Sequence, residues 1–156
     1  MSITRGDSLP DFTLPTDNDG EISKESLKGT PFVLYLYPKD DTPGCTTESI
    51  GFTERLGDFE ALGVRVIGLS KDSVKKHARF REKHGLGVTL ASDEDGAFVE
   101  ALGAWVEKSM YGKTYMGIDR STFLVAADGT VLREWRKVKV PGHVDEVLDA
   151  ARTLVP

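Results

Sequence analysis

The feature that most restricts the fold is an uninterrupted apolar run at residues 31–37, Pro-Phe-Val-Leu-Tyr-Leu-Tyr. A run of aromatic, β-branched and aliphatic residues without alternation is typical of a strand buried on both faces of a sheet. A second run at residues 64–69 follows a segment in which apolar residues recur at helical spacing, namely Phe52, Leu56, Phe59 and Leu62. Strand, helix and strand in this order predict a right-handed βαβ unit with two parallel strands.

Turn and capping signals lie before this unit and at the start of its helix. Residues 11–14 and 21–23 flank residues 16–20, whose Asn, Asp and Gly accept the positive φ angles of tight turns. These segments predict an N-terminal β-hairpin. Thr42 and Pro43 are typical of a helix start, with a hydroxyl at the N-cap and proline at the first helical position.

The second half of the chain predicts further helices and strands around the same sheet. In chain order we expect a charged helix capped by Asp72 and ending near His84, a strand at residues 88–91, a short helix ending at Leu102, strands at residues 121–126 and 131–135 joined by a two-residue turn at Asp128 and Gly129, and a closing amphipathic helix with Val144, Val147, Leu148, Ala151 and Leu154. This order predicts an α/β fold of thioredoxin-like topology, with a mixed central sheet flanked by helices, in a single domain over residues 1–156.

Composition excludes several classes of function. The formal net charge of −5 argues against a surface for nucleic acid or for an anionic membrane. No apolar stretch suits a signal peptide or the roughly 18 residues of a membrane span, so we expect a cytoplasmic protein. The chain has one cysteine, Cys45, which excludes an internal disulfide and a zinc site built on a cysteine pair.

Cys45 stands just after the first apolar strand and within the first turn of the predicted helix. Unpaired amides and the positive end of the helix dipole favour the thiolate there, which is the nucleophilic form. The alternative is a small buried apolar residue, the usual fate of a free cysteine. The polar run at residues 39–42 does not resemble a core segment, and the loop after a parallel strand is where α/β folds place ligand sites.

The motif Pro38-x-x-x-Thr42-x-x-Cys45 resembles the active-site motif of the peroxiredoxins, and most of all their bacterioferritin comigratory protein branch, also called the Q-type. Further similarity lies in Pro-Asp-Phe-Thr-Leu-Pro at residues 10–15, Cys-Thr-Thr-Glu at 45–48, Gly-Ala-Trp at 103–105 and Arg-Ser-Thr-Phe at 120–123. The likeness extends in order over nearly the whole chain.

The resemblance implies a thiol-dependent peroxidase that needs no cofactor or metal and reduces hydrogen peroxide and organic hydroperoxides to water and alcohols. The Cys45 thiolate would attack the nearer peroxide oxygen and become a sulfenic acid. Arg120 would supply a positive charge, the Thr42 hydroxyl would hydrogen-bond in the same pocket, and Pro38 would shield the thiolate from water.

Each of these residues has a simpler interpretation. Thr42 could be only an N-cap, and Arg120 could be an exposed charge at a strand end. Glu48 is most simply a carboxylate favoured by the helix dipole, although the family suggests that it orients the arginine, and we leave it outside the core site.

The remaining candidate side chains carry no metal-binding or nucleophile pattern. His77, His84 and His143 have no metal-ligand spacing, and the first two lie on the charged helix, where solvent exposure is expected. An apolar patch in a loop-like stretch before Arg120 is expected to cover the core rather than to form a contact surface; its members are Met110, Tyr111, Tyr115 and Met116.

The chain departs from the family at two positions. Many Q-type members carry a resolving cysteine at places that correspond here to Ile50 and Arg81. The chain therefore resembles a one-cysteine variant whose sulfenic acid is reduced by an external thiol, namely thioredoxin, glutaredoxin or glutathione, in a monomer or weak homodimer. A peroxide sensor with slow turnover on the same fold stays open as an alternative, and a cysteine hydrolase with a histidine base ranks far behind.

Overall fold

The computed structural model describes residues 3–18 and 20–155 and forms an α/β sandwich. In chain order its elements are β1 (Thr13–Pro15), β2 (Glu21–Ser23), β3 (Phe32–Leu36), α1 (Pro43–Glu54), α2 (Leu56–Ala61), β4 (Arg65–Ser70), α3 (Val74–His84), β5 (Thr89–Ser92), α4 (Ala97–Ala101), β6 (Trp105–Met110), β7 (Lys113–Ile118), β8 (Ser121–Val125), β9 (Val131–Trp135) and α5 (His143–Leu154).

The central sheet has the strand order β5-β4-β3-β8-β9. β3 pairs in parallel with β4, and β4 with β5, whereas β8 and β9 run antiparallel to their neighbours. The predicted βαβ unit and the mixed, thioredoxin-like sheet are therefore confirmed.

The apolar run of β3 is continuous because each face of this strand meets a separate core. Phe32, Leu34 and Leu36 join the core that lies under the N-terminal segment and α4. Val33 and Tyr35 join the opposite core, which also receives side chains from α1, α3 and α5; among them are Cys45, Phe52, Phe80, Val147, Leu148 and Ala151. Because β3 is the middle strand of five, the loop after it lies at the centre of the sheet's carboxyl edge.

The two predicted hairpins form, although their turns differ from expectation in part. β1 pairs with β2 as predicted, and the Thr16 amide donates to the Gly20 carbonyl; Asp19, expected in this turn, lies outside the described residues. The two-residue turn predicted between β8 and β9 is wrong. Three residues, 127–129, connect the paired ends of these strands. Gly129 has φ 91°, which suits the glycine that closes a three-residue hairpin loop.

Two helix boundaries differ from those predicted from the sequence. The helix after β3 is interrupted at Arg55 and continues as α2. The N-cap of α3 is Ser73, whose hydroxyl accepts from the Lys76 amide, and not Asp72. Asp72 instead accepts hydrogen bonds from the Asp40 amide and the Ser70 hydroxyl, so its carboxylate ties the loop after β3 to β4.

The apolar patch before Arg120 does not cover the core, contrary to expectation. The stretch is a hairpin of β6 and β7 that turns at Tyr111 and Gly112, both with positive φ. The four side chains of the patch, namely Met110, Tyr111, Tyr115 and Met116, have exposed fractions of 45–97%. The sequence did not predict this hairpin, because polar residues interrupt its strands and its turn lacks the usual Asn-Gly or Asp-Gly pair.

Within the described part of the chain, no helix is both long and apolar enough to span a membrane.

Candidate active site

Cys45 lies in the first turn of α1 and is only 1% exposed. The backbone turns from β3 into α1 over residues 37–42, and Pro43 occupies an early helical position whose amide would have no partner. The thiol is therefore held at the positive end of a helix, at the carboxyl edge of the sheet's central strand. Burial alone would fit the apolar alternative, but the polar contact of the sulfur does not.

Arg120 makes that contact. Its Nη2 donates to Cys45 Sγ at 3.2 Å, and its Nη1 donates to Glu48 Oε1 at 2.6 Å. A Cβ at position 44 would lie 3.2 Å from the same Nη2, so Gly44 leaves room for the guanidinium above the helix start. Arg120 precedes β8, the strand antiparallel to β3, and this pairing places it above α1. The interpretation as an exposed charge at a strand end is wrong.

Glu48 belongs to the same cluster, although the sequence-based interpretation left it outside. It is fully buried, and burial raises the pKa of Glu48 to about 7 even though Arg120 opposes the rise. The spacing of three residues from Cys45 puts both side chains on one helix face, which was the signal available in the sequence. Glu48 orients the guanidinium by holding one of its nitrogens while the other faces the sulfur.

Thr42 and Pro38 lie on the segment that leads into α1. Thr42 occupies the N-cap position of α1, as predicted, but its hydroxyl donates to the Lys39 carbonyl at 2.8 Å and makes no capping bond. Because the hydroxyl hydrogen is donated to Lys39, the oxygen lone pairs can accept a hydrogen bond from another group. Pro38 is exposed and follows the fully buried Tyr37, so its ring stands on the outer side of this segment.

A cluster of buried polar side chains anchors the segment that leads into α1. Asp40 accepts from the Tyr37 hydroxyl at 2.5 Å and is bonded to His77 Nδ1 at 2.7 Å. The other ring nitrogen of His77 bonds the Ala91 carbonyl at 2.9 Å. His77 is therefore fully buried, and the expectation that it is exposed on α3 is wrong. The next residue, Asp41, has its pKa lowered by hydrogen bonds from Lys83 and His84.

His143 begins α5 and is also buried, with 4% of its surface exposed. Its Nε2 is hydrogen-bonded to the Thr122 hydroxyl at 2.8 Å, and its ring meets the edges of Phe52 and Trp135. Burial lowers the pKa of His143 to about 4, with Arg120 and Arg133 acting in the same direction. The imidazole is therefore neutral in the folded protein near pH 7.

We expect His143 to make stability fall in acid. Its folded pKa lies below the ordinary value of about 6.5, so the unfolded chain takes up the proton first as pH falls from 6.5 towards 4. Between pH 7.5 and pH 5, the free energy of unfolding of the parent should fall by about 2 kcal/mol more than that of His143→Gln. Urea unfolding of both proteins measures this difference. The opposite effect of Glu48, whose folded pKa is raised, cancels in the comparison, and parallel pH profiles would contradict the assignment.

The two positions where the family places resolving cysteines have structural side chains here. Ile50 packs against the core that contains Cys45. Arg81 is bonded to the Asp17 carboxylate and to the carbonyls of Leu86 and Val88, so it ties α3 to the N-terminal segment and to the loop before β5. Among residues 3–18 and 20–155, no cluster of three His, Cys, Asp or Glu side chains could hold a metal ion.

Comparisons with known proteins agree on one family. The sequence pattern of the AhpC/TSA family matches residues 5–133. The putative peroxiredoxin Bcp of Coxiella burnetii is 49% identical over 148 residues, which are 95% of this chain and 98% of the relative.

Solved structures give the same result. The bacterioferritin comigratory protein of Xanthomonas campestris, solved as a trapped intermediate or ligand complex, superposes with a TM-score of 0.86 at 43% identity, covering 91% of this chain and 90% of that one. A cysteine-to-serine variant of PrxQ from Xylella fastidiosa superposes with a TM-score of 0.92 at 37% identity, covering 98% of each chain.

Proposed function

Since this chain belongs to the AhpC/TSA family and is a peroxiredoxin, a thiol-dependent peroxidase, we propose that Cys45 attacks the peroxide and is recycled through a sulfenic acid by an external thiol. The observation that carries this assignment is the contact of Arg120 with both Cys45 Sγ and Glu48 Oε1. A fixed cation beside a buried sulfur stabilises the thiolate before the reaction and the charge that develops during it.

In the proposed first step, the Cys45 sulfur forms a bond to the nearer peroxide oxygen while the O–O bond breaks. The sulfur loses two electrons and becomes a sulfenic acid, and the distant oxygen leaves as water or an alcohol after it gains a proton. Thr42 is suited to accept a hydrogen bond from the peroxide O–H, because its own hydrogen is donated to Lys39. Pro38 would form the outer wall of the pocket.

We propose hydrogen peroxide and organic hydroperoxides as substrates. The Xanthomonas campestris relative is described by its alkyl peroxide reduction activity, which supports the second class.

The second half of the cycle requires a thiol from outside the chain. Cys45 is the only cysteine in the sequence, so no intramolecular disulfide can form. A first external thiol would attack the sulfenic sulfur, release water and form a mixed disulfide, and a second thiol would then release Cys45. Glutathione, thioredoxin and glutaredoxin are the proposed candidates.

Steady-state peroxide consumption tests this cycle. With no thiol we expect one peroxide per protein to form the sulfenic acid and, in excess peroxide, about one more to form the irreversible sulfinic acid, after which consumption should stop. At least one of glutathione, thioredoxin or glutaredoxin should support many turnovers. Slow consumption with all three thiols would favour the peroxide sensor instead, and continued turnover without any thiol would contradict the cycle.

A further inference from the structure

Two buried acids share one cation in the active site. Arg120 Nη2 donates to Cys45 Sγ at 3.2 Å, and Nη1 donates to Glu48 Oε1 at 2.6 Å. Cys45 and Glu48 are 1% and 0% exposed, and their spacing of three residues on α1 puts their Cβ atoms about 5–6 Å apart. If both acids lost a proton, two negative charges would lie this close in the protein interior with one guanidinium bonded to them.

The surroundings of Glu48 favour its protonated form. Its second oxygen, Oε2, is buried and has no hydrogen-bond partner in the described part of the chain. A buried oxygen without a donor costs more free energy on a carboxylate than on a neutral carboxylic acid. The pKa of Glu48, which burial raises to about 7, agrees with this. Oε1 can accept the hydrogen bond from Arg120 in either state, so a protonated Glu48 still orients the guanidinium.

The surroundings of Cys45 favour its ionised form instead. The sulfur lies in the first turn of α1, where the helix dipole stabilises negative charge, and it accepts an N–H from Arg120. When two neighbouring acids compete for one cation, the charge of the acid that ionises first holds the proton on the other. We therefore expect the thiol to ionise first and Glu48 to keep its proton.

Three further titratable groups interact electrostatically with this cluster from the elements around it. Burial raises the pKa of Tyr35 on β3, which keeps its proton, and lowers the pKa of His143 on α5 to about 4, which leaves the imidazole neutral near pH 7. Lys108 on β6 is partly buried and attracts negative charge on Cys45. The neutral rings add no charge and the lysine favours the thiolate, so the competition is between Cys45 and Glu48.

We propose that Cys45 and Glu48 carry one negative charge between them, so that Glu48 keeps its proton while Cys45 is a thiolate and releases it when the sulfur is oxidised. The inference rests on the proposed attack by Cys45. Glu48 acts on the sulfur through Arg120 and is a positioning residue.

This sharing keeps the buried cluster neutral during the reaction. As the S–O bond forms, the O–O electron pair moves to the distant oxygen, which takes up one proton and leaves as water or an alcohol. The sulfur is oxidised by two electrons and loses its negative charge, while the peroxide is reduced by two. Glu48 then ionises opposite Arg120 and releases one proton. The step therefore takes up no proton overall.

Proton uptake during oxidation tests this coupling. Reduced parent, Glu48→Gln and the control Glu54→Gln are mixed rapidly with one equivalent of hydrogen peroxide in weakly buffered solution with a pH-indicator dye, at several pH values from 6 to 8.5. Glu54 is exposed at the end of the same helix. Intact mass counts the oxygen atoms that reach Cys45, and the rate of alkylation by iodoacetamide gives the thiolate fraction of each protein at each pH.

We expect Glu48→Gln to take up about one proton per sulfur wherever Cys45 is a thiolate, because the neutral amide has no proton to release. Near pH 7 the parent and Glu54→Gln should take up close to none. Equal uptake by the parent and Glu48→Gln over the whole pH range would overturn the proposal, because a Glu48 that only orients Arg120 stays ionised throughout.

Infrared difference spectra give a second measurement, which does not require Glu48→Gln to fold. Oxidation of the parent near pH 7 should remove the carbonyl stretch of a protonated carboxylic acid and add the bands of a carboxylate, and Glu54→Gln should give the same change. A carboxylic acid band that oxidation leaves unchanged would overturn the proposal. A parent protein in which Cys45 gains no oxygen from the peroxide would contradict the proposed function instead.

Discussion

Replacing Cys45 by serine is expected to lower the rate of peroxide consumption by at least about a thousand-fold, the scale of loss seen when an enzyme's nucleophile is removed. Serine keeps a hydroxyl that is protonated at neutral pH and is a weak nucleophile without a base beside it. The two buried histidines are engaged elsewhere, His77 with Asp40 and His143 with Thr122. Neither is therefore free to activate the serine.

The fold should survive this change. Serine is close to cysteine in size, and its hydroxyl can accept the hydrogen bond that Arg120 Nη2 gives to the sulfur. Rapid-mixing peroxide consumption and thermal unfolding, measured side by side, separate chemistry from stability. Peroxide turnover by Cys45→Ser at the parental rate would remove Cys45 from the site.

Arg120→Ala is expected to slow peroxide attack by about 10²–10³-fold, the usual cost of removing one donor that stabilises developing negative charge. It should also move the alkylation of Cys45 by iodoacetamide to higher pH, because the thiolate loses its adjacent cation. Arg120→Lys should recover only part of the rate, since an ammonium lacks the planar fork of donors with which two guanidinium nitrogens contact Glu48 and Cys45.

A second variant separates this effect from instability. Arg120→Ala alone leaves the carboxylate of Glu48 buried without its partner, a change that typically costs about 3–5 kcal/mol. Arg120→Ala combined with Glu48→Gln removes both charges and should recover much of the stability while the reaction stays slow. Recovery of the rate together with the stability, or an unchanged alkylation profile in Arg120→Ala, would assign Arg120 a purely structural role.

The main elements of the fold could be predicted because their signals are local and repeated. The continuous apolar run of β3 required a layer on each face, and the structure has the two cores on either side of it. Helical spacing over residues 52–62 and in α5 marked residues that pack in or against one of those cores. Local capping was less informative, since Asp72 and Ser73 are neighbours of similar capping propensity and tertiary contacts decided between them.

The site could be predicted only as far as its residues are adjacent in sequence. Cys45 at a helix start follows from the chain itself, whereas the approach of Arg120 depends on the pairing of β3 with β8 across more than seventy residues. The sequence pattern alone did not predict that Arg120 approaches Cys45, whereas the resemblance to the peroxiredoxins implied it.

Two of the failures share one physical cause, which is that polar residues were assigned to solvent by default. His77 is buried because Asp40 and the Ala91 carbonyl satisfy both of its ring nitrogens, and such partners are visible only in three dimensions. Glu48 is buried for the same reason, with Arg120 as its partner. The converse error was made for four apolar side chains of the β6–β7 hairpin, which were assigned to the core and are exposed: Met110, Tyr111, Tyr115 and Met116.

The most direct test of the central claim follows the sulfur of Cys45. Reduced protein is treated with one equivalent of hydrogen peroxide and its intact mass is measured without reductant, with and without added glutathione. We expect a gain of one oxygen atom at Cys45 in the sample without glutathione, and a glutathione mixed disulfide at Cys45 when one equivalent of glutathione is present. A disulfide-linked dimer through Cys45 as the main product, reduced by thioredoxin at full speed, would show instead that resolution occurs between chains, and an unchanged mass after peroxide is consumed would contradict the role of Cys45.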